Sequence, residues 1–257
     1  MASQTKRILL LGGTTEAREL GAVLGARKDL SVTLSLAGRT RAPVAQPVPV
    51  RVGGFGGVEG LAGYLRAETV DLLVDATHPF AARISANAAA ACNAAGVPLL
   101  SLSRPEWKAE LGDDWIDAGS VEEAVALLGD APRRVFAALG RQELGPLKAA
   151  PQHFFLVRSV DPVEPPLDLP EVKYLLNRGP FDEAAETALL TQHRIDAVLS
   201  KNSGGGASYP KIAAARALKL PVFMVRRSPS SGEAAAGSVA EAVQLLDHAL
   251  GLAKRGE

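Results

Sequence analysis

The chain has 257 residues, room for one large domain or two small ones. With 47% apolar residues it can bury a sizeable core, and 28 Lys plus Arg balance 28 Asp plus Glu. That balance excludes a whole-protein basic field for nucleic acid, so an anionic ligand must be met by a local cluster of cations. The single cysteine, Cys92, excludes an internal disulfide and a cysteine metal cluster, and its Ala-rich surroundings read as a small buried residue. The apolar run after the first few residues is too short for a signal peptide or a membrane span. The expected location is therefore cytoplasmic, with no membrane partner.

Taken in chain order, Ile8–Leu11 is a short apolar run closed by Gly12-Gly13 and predicts a buried parallel strand. Thr14–Arg27 predicts a helix, with Thr14 or Thr15 as cap and Glu16 favoured by the helix dipole. Ser31–Leu36 is the next strand, Val58–Ala67 a helix and Val70–Val74 a strand. Phe80–Ala95 predicts a long Ala-rich helix stopped by Gly96, and Val97–Ser101 another strand. This alternation implies a parallel sheet with helices on both faces and right-handed crossovers. Arg104-Pro105-Glu106-Trp107 interrupts the rhythm and marks a hinge, after which the pattern restarts.

Ser120–Leu128 predicts a helix with a capping box formed by Ser120 and Glu123. Strands are predicted at Arg134–Ala138, His153–Arg158, Ala197–Leu199 and Val222–Val225, and helices at Asp182–Gln192 and Tyr209–Leu218. Asp161–Pro170 is Pro-rich loop, Ser230–Gly237 reads as a small-residue linker, and Val239–Leu250 as a closing helix. No fixed-period repeat is evident. The expected fold is α/β, with residues 1–103 and 104–229 as two domains and 230–257 as a linker and C-terminal helix.

Four turns could carry chemistry. Gly12-Gly13-Thr14-Thr15-Glu16-Ala17 follows the first strand, where backbone N–H groups can approach a pyrophosphate; Ala17 stands in place of the usual third glycine. The second strand ends in Gly38-Arg39-Thr40 with no acidic residue from Ser31 to Val58, so a guanidinium that can grip a 2′-phosphate replaces the carboxylate that selects NAD. Asp75-Ala76-Thr77-His78-Pro79 sits where a strand meets a helix, with Pro79 suited to the first helical turn. Asp75 and His78 are candidates for proton transfer, and Thr77 and His78 for cofactor contact. Lys201-Asn202-Ser203-Gly204-Gly205 and the residues to Ser208 precede a helix and could bind a phosphate or carboxylate, although Lys201 precedes the glycines and so is not a Walker lysine. Arg18, Arg83, Arg141, Arg158 and Arg178 lie near predicted strand ends and could meet a polyanion if they converge.

Together, GGTTEAR at Gly12–Arg18, AGRT at Ala37–Thr40, DATHPFA at Asp75–Ala81, Gly140-Arg141, NRGPF at Asn177–Phe181, KNSGG at Lys201–Gly205 and YPK at Tyr209–Lys211 resemble the precorrin-6A reductase family of cobalamin biosynthesis. The resemblance implies two Rossmann-like domains with parallel sheets flanked by helices and the active site in the interdomain cleft. It implies that NADPH binds mainly to the first domain, and that the double bond between carbons 18 and 19 of precorrin-6A is reduced to give precorrin-6B, with no metal in the hydride step. The expected partners are the tetrapyrrole substrate, rich in carboxylates, and other enzymes of the corrin pathway.

Three rival readings stand beside it. A short-chain dehydrogenase would carry a Tyr followed four residues later by Lys, but Tyr64 is followed by Glu68, Tyr174 by Arg178 and Tyr209 by Ala213. A non-catalytic NADPH sensor has no need of a second anion site at Lys201–Ser208. An NADH-linked cobalt-precorrin-6A reductase would share fold and motifs, and only Arg39-Thr40 leans away from it.

Overall fold

The structure is a computed structural model that describes residues 5–38, 45–227 and 234–252. The chain divides into two compact units: residues 1–105 with 228–257, and residues 106–227.

In the first unit the elements run β1 (Lys6–Leu11), α1 (Thr15–Gly25), β2 (Leu30–Leu36), β3 (Val50–Val52), α2 (Gly57–Ala67), β4 (Leu72–Asp75), α3 (Ala82–Ala95) and β5 (Leu99–Leu102). The second unit contributes β6 (Trp115–Ala118), α4 (Val121–Leu127), β7 (Arg134–Ala138), β8 (Phe154–Ser159), β9 (Val172–Leu176), α5 (Glu183–Gln192), β10 (Ala197–Lys201), α6 (Pro210–Ala217) and β11 (Val222–Val225). The chain then returns to the first unit with β12 (Ala234–Ala236) and α7 (Val239–Ala249).

Both sheets are parallel throughout, with strand orders β12-β5-β4-β1-β2-β3 and β6-β11-β10-β7-β8-β9. This is the expected α/β class with two Rossmann-like sheets. The order reverses direction between β1 and β4 in one sheet and between β7 and β10 in the other, which creates a topological switch point in each.

The apolar run of β1 is continuous because both faces of its sheet are covered. Ile8 and Leu10 pack into a core with Leu20 and Leu24 of α1 and Leu246 of α7, whereas Leu9 and Leu11 point the other way, into a core with Leu61 and Leu65 of α2 and Ala88 of α3. In the second unit Phe136, Leu156, Val198 and Met224 build a corresponding core. Cys92 belongs to the α2–α3 core, and burial pushes its thiol up to about 11, so it is inert packing.

Several strands departed from the sequence expectation. β3, β6 and β9 were not foreseen, because they are short or partly exposed edge strands without a distinct pattern. The segment read as a linker contains β12, which pairs with β5 through Ala234 opposite Leu100 and Ala236 opposite Leu102. Small residues carry little strand propensity, so the partner strand makes this one. The C-terminal helix is therefore a built-in layer of the first unit and not an appendage.

Each sheet takes its sixth strand from beyond the other unit's boundary: β6 follows β5 in sequence but pairs with β11, and β12 follows β11 but pairs with β5. These two exchanged segments share a sequence. Ala118-Gly119-Ser120-Val121-Glu122-Glu123-Ala124-Val125-Ala126-Leu127-Leu128 matches Ala236–Leu246 at nine of eleven positions. The match is physical as well. Ser120 accepts from Glu123 N at 3.1 Å while Glu123 accepts from Gly119 N at 2.7 Å; Ser238 accepts from Glu241 N at 3.2 Å while Glu241 accepts from Gly237 N at 2.8 Å. The predicted cap at Ser120 is present, with the returning carboxylate bonded one residue earlier than the standard box.

Leu246 is fully buried. Leu246→Ala is expected to destabilise the protein by about 2–5 kcal/mol. Urea unfolding measures it; a loss under about 0.5 kcal/mol, the usual range for surface changes, would show that α7 is not part of the core.

Candidate functional site

The carboxyl ends of β1, β2, β4 and β5 build the first candidate site. Gly12 leaves β1 with its N–H donating to Ser35 O at 3.0 Å, and a Cβ at Gly12 would meet Leu34 Cδ1 at 2.5 Å. A side chain there would have to displace the end of Leu34. Gly13 has φ +122°, a backbone state that other residues rarely adopt, and a Cβ built on it meets nothing within 4 Å. The turn thus presents bare backbone to open space.

Thr14 caps α1: its Oγ1 accepts from Ala17 N at 3.1 Å and donates to Ala76 O at 2.9 Å, tying the turn after β1 to the turn after β4. Ala17 is buried against this turn, in the role expected of a third glycine. Thr15 is exposed, and Glu16 points to Arg104 beyond β5, with N–O distances of 2.9 and 3.2 Å. Thr14, Glu16, Thr77, Pro79, Leu102, Ser103 and Arg104 line one small hollow at this edge. An open glycine turn at a helix N-terminus, on the switch point of a parallel sheet, fits the pyrophosphate of a dinucleotide.

The turn after β4 corrects the expected place of Pro79. Asp75 is buried, and its Oδ1 accepts from Thr77 N at 3.0 Å and Thr77 Oγ1 at 2.7 Å, so this carboxylate shapes its own turn. Pro79 lies in a turn closed by Ala81 N to His78 O at 2.7 Å, ahead of a helix that starts only at Ala82, so it is not in the first helical turn. His78 is half-buried and its Nδ1 accepts from Phe80 N at 3.3 Å. Arg39 and Thr40, the expected 2′-phosphate partners, lie outside the described residues.

In the second unit the equivalent turn after β7 is built differently. Gly140 leads into a 3-10 turn at Arg141–Glu143, and Glu143 Oε2 accepts from Gly140 N at 3.0 Å. The same carboxylate is paired with Lys201 Nζ at the end of β10. A carboxylate thus occupies the backbone donor that a phosphate would need.

The glycine loop after β10 is held by a tryptophan from the start of the unit. Asn202 is 6% exposed; its Oδ1 accepts from Trp107 N at 2.8 Å and its Nδ2 donates to Trp107 O at 2.9 Å. Trp107 Nε1 donates to Gly205 O at 2.8 Å, and Lys211 Nζ sits 4.7 Å from the Trp107 ring. Gly204 and Gly205, at φ +65° and +71°, curl the loop over this tryptophan. Asn202 therefore anchors Trp107, and α6 follows the loop as expected, with Tyr209 at its N-cap and Pro210 as its first residue. Ser203 and Lys201 remain at the loop's edge, with Ser203 N donating to Lys201 O at 2.7 Å.

The arginines do not form one cluster within either unit. Arg18 is exposed on α1 beside a groove with Glu19 and Pro47, and Arg83 is exposed in the first turn of α3. Arg141 lies 3.6 Å from Asp161 and donates to Pro162 O at 3.2 Å; Arg178 is exposed. Arg158 is buried against Glu186 at 2.5 Å and stacks 3.7 Å over Phe181 of the NRGPF stretch, a structural pair and not a surface cation. Arg104, Trp107 and Glu143 were missed in the sequence. Their only signals are a cation placed directly after a strand, a lone tryptophan at the hinge, and an acid three residues after a glycine.

A twin-sheet α/β protein with a dinucleotide-type turn at the switch point of its first sheet defines the class. The family model described as Precorrin-6x reductase CbiJ/CobK matches residues 7–247, and the chain belongs to that family, oxidoreductases of cobalamin biosynthesis. It is 53% identical to a precorrin-6A reductase of Sinorhizobium sp over 96% of this chain and 95% of the relative. It is 30% identical to a cobalt-precorrin-6A reductase of Methanothermobacter thermautotrophicus over 95% of this chain and 83% of the relative. A solved CobK precorrin-6A reductase structure superposes with a TM-score of 0.91 at 45% identity, covering 95% of this chain and 97% of that one. A reductase family of this kind implies a nicotinamide cofactor. Among the described residues no helix is long and apolar enough to cross a membrane.

Arg158→Met should leave the Glu186 carboxylate buried without its cation, at a cost of about 3–5 kcal/mol. Denaturant unfolding of R158M and of the double variant R158M/E186L tests this. The double variant should recover most of the loss, and equal loss in both would refute the charge argument.

Proposed function

We propose that this protein reduces precorrin-6A to precorrin-6B with NADPH, across the double bond between carbons 18 and 19. The observation that carries the placement is the open, positive-φ turn at Gly13 on the switch point of the first sheet. Its counterpart in the second unit is filled by the Glu143 carboxylate, which favours the first unit for an anionic cofactor. The bound nicotinamide would supply the hydride. Backbone donors of Gly13, Thr14 and Thr15 would hold the pyrophosphate, with Gly12, whose N–H is bonded to Ser35 O, allowing its close approach, Thr14 keeping the turns after β1 and β4 in register and Thr77 beside them. His78, half-buried at the same edge, is the stronger of the two proton-transfer candidates, since Asp75 is committed to its turn. Identity of 53% to a precorrin-6A reductase against 30% to a cobalt-precorrin-6A reductase supports the metal-free substrate.

The 2′-phosphate reading rests on Arg39 and Thr40 in a stretch without acids. Arg39→Ala should weaken NADPH by about tenfold to a hundredfold, the worth of a lost charge-assisted contact, and leave NADH nearly unchanged. Gly13→Val, with Gly13→Ala as the milder companion, should lose both cofactors in a calorimetric titration while circular dichroism shows a folded protein. Equal use of both cofactors by the wild type would overturn the choice of NADPH, and full binding by both glycine variants would overturn the placement.

On the second unit, Lys201, Ser203 and the backbone of Gly204 and Gly205 are proposed to meet substrate carboxylates, with Arg141 and Arg178 as further cations. Lys201→Ala should raise the tetrapyrrole KM and leave the NADPH Kd unchanged. A variant that loses NADPH and keeps the tetrapyrrole would reverse the assignment of the two units.

A further inference from the structure

The dinucleotide turn contains a paradox of charge. Glu16 lies in the first turn of α1, whose N-terminus and bare Gly13 backbone suit a pyrophosphate, yet a carboxylate there repels one. The structure offers a remedy in Arg104, the second residue after β5. Its guanidinium reaches both Glu16 oxygens, at 2.9 and 3.2 Å, and the side chains are 14% and 23% exposed, so the pair is only partly screened by water. Both residues line the same hollow as Thr14 and Thr77.

We infer that Arg104 is a positioning residue for the cofactor. It draws the Glu16 carboxylate aside and neutralises it, so that the turn at Gly13 stays open to an anionic pyrophosphate. The inference rests on the cofactor placement proposed above. It assigns Glu16 a role opposite to that of a ligand. Glu16 favours the helix through its dipole, and Arg104 cancels its repulsion of the cofactor.

Charge neutralisation by Arg104 has a sign that a purely structural role lacks. Removing Arg104 alone leaves one uncompensated negative charge beside the pyrophosphate. Removing Glu16 alone makes the site one charge more positive. Removing both returns the site to its original net charge. The order of NADPH affinity should therefore be Glu16→Gln above wild type, wild type close to the double variant, and Arg104→Met lowest. Arg104→Met should weaken NADPH by about tenfold, the Coulomb cost of one like charge in a partly screened site.

The test is calorimetric titration of NADPH into wild type, R104M, E16Q and R104M/E16Q at two salt concentrations, with G13V alongside. The expected result is loss in R104M, rescue in the double variant, and a tightening in E16Q that fades as salt rises. Loss in R104M without rescue would overturn the inference, because Arg104 would then act by direct contact or by shape. Weakening in E16Q would overturn it too, and that arm stands even if R104M does not fold. Should G13V bind as wild type does, the cofactor placement itself fails. Should G13V lose binding while R104M keeps it, only the charge inference fails.

Discussion

Two parallel strands cannot be joined by a tight turn; each pair needs a crossover that carries the chain back over a face of the sheet. Every loop at the carboxyl edge of these sheets follows from that constraint. β1 feeds a crossover toward β2, and β4 one toward β5, so their two loops leave in opposite directions and a crevice opens between them. Thr14 bridges that crevice by bonding to Ala76 O, and the glycines beside it keep the backbone bare. Chemistry can be placed there because the strands beneath are dry, apolar and covered on both faces.

The same topology repeats in the second unit with a different outcome. There the turn after β7 carries Glu143 where the first unit carries an open glycine, and Lys201 balances the carboxylate. One scaffold thus yields an open glycine turn in one copy and a self-filled turn in the other. The exchanged edge segments, with their shared sequence and twin helix caps, show that the two copies remain structurally alike where no ligand chemistry is asked of them.

Charge in this protein is balanced locally as well as overall. Glu16 with Arg104, Glu143 with Lys201 and Glu186 with Arg158 each join a carboxylate to a cation, in each case with at least one partner largely out of water. The segment joining the units is held at both ends by polar contacts: Arg104 fastens it to α1 of the first unit, and Trp107 fastens it to the Asn202 amide of the second. In a partly dry setting such pairs are costly to break, because the remaining partner keeps its desolvation penalty.

Periodicity and turn chemistry were sufficient to determine the α/β class, the long helices and the central strands, since a continuous apolar run closed by glycine has few other uses. They also located the turns at Gly12-Gly13 and Asp75–Pro79, and the resemblance carried by the motifs named the family. Edge strands β3, β6, β9 and β12 escaped, because a short strand is made by its partner and not by its own residues. The roles of charged side chains escaped for a related reason. That Arg158 is a buried clamp, that Asn202 bonds Trp107 and that Arg104 finds Glu16 all depend on residues distant in sequence. Local sequence sets backbone preference, but the partners of a polar side chain are chosen only when the sheet brings separate strand ends together.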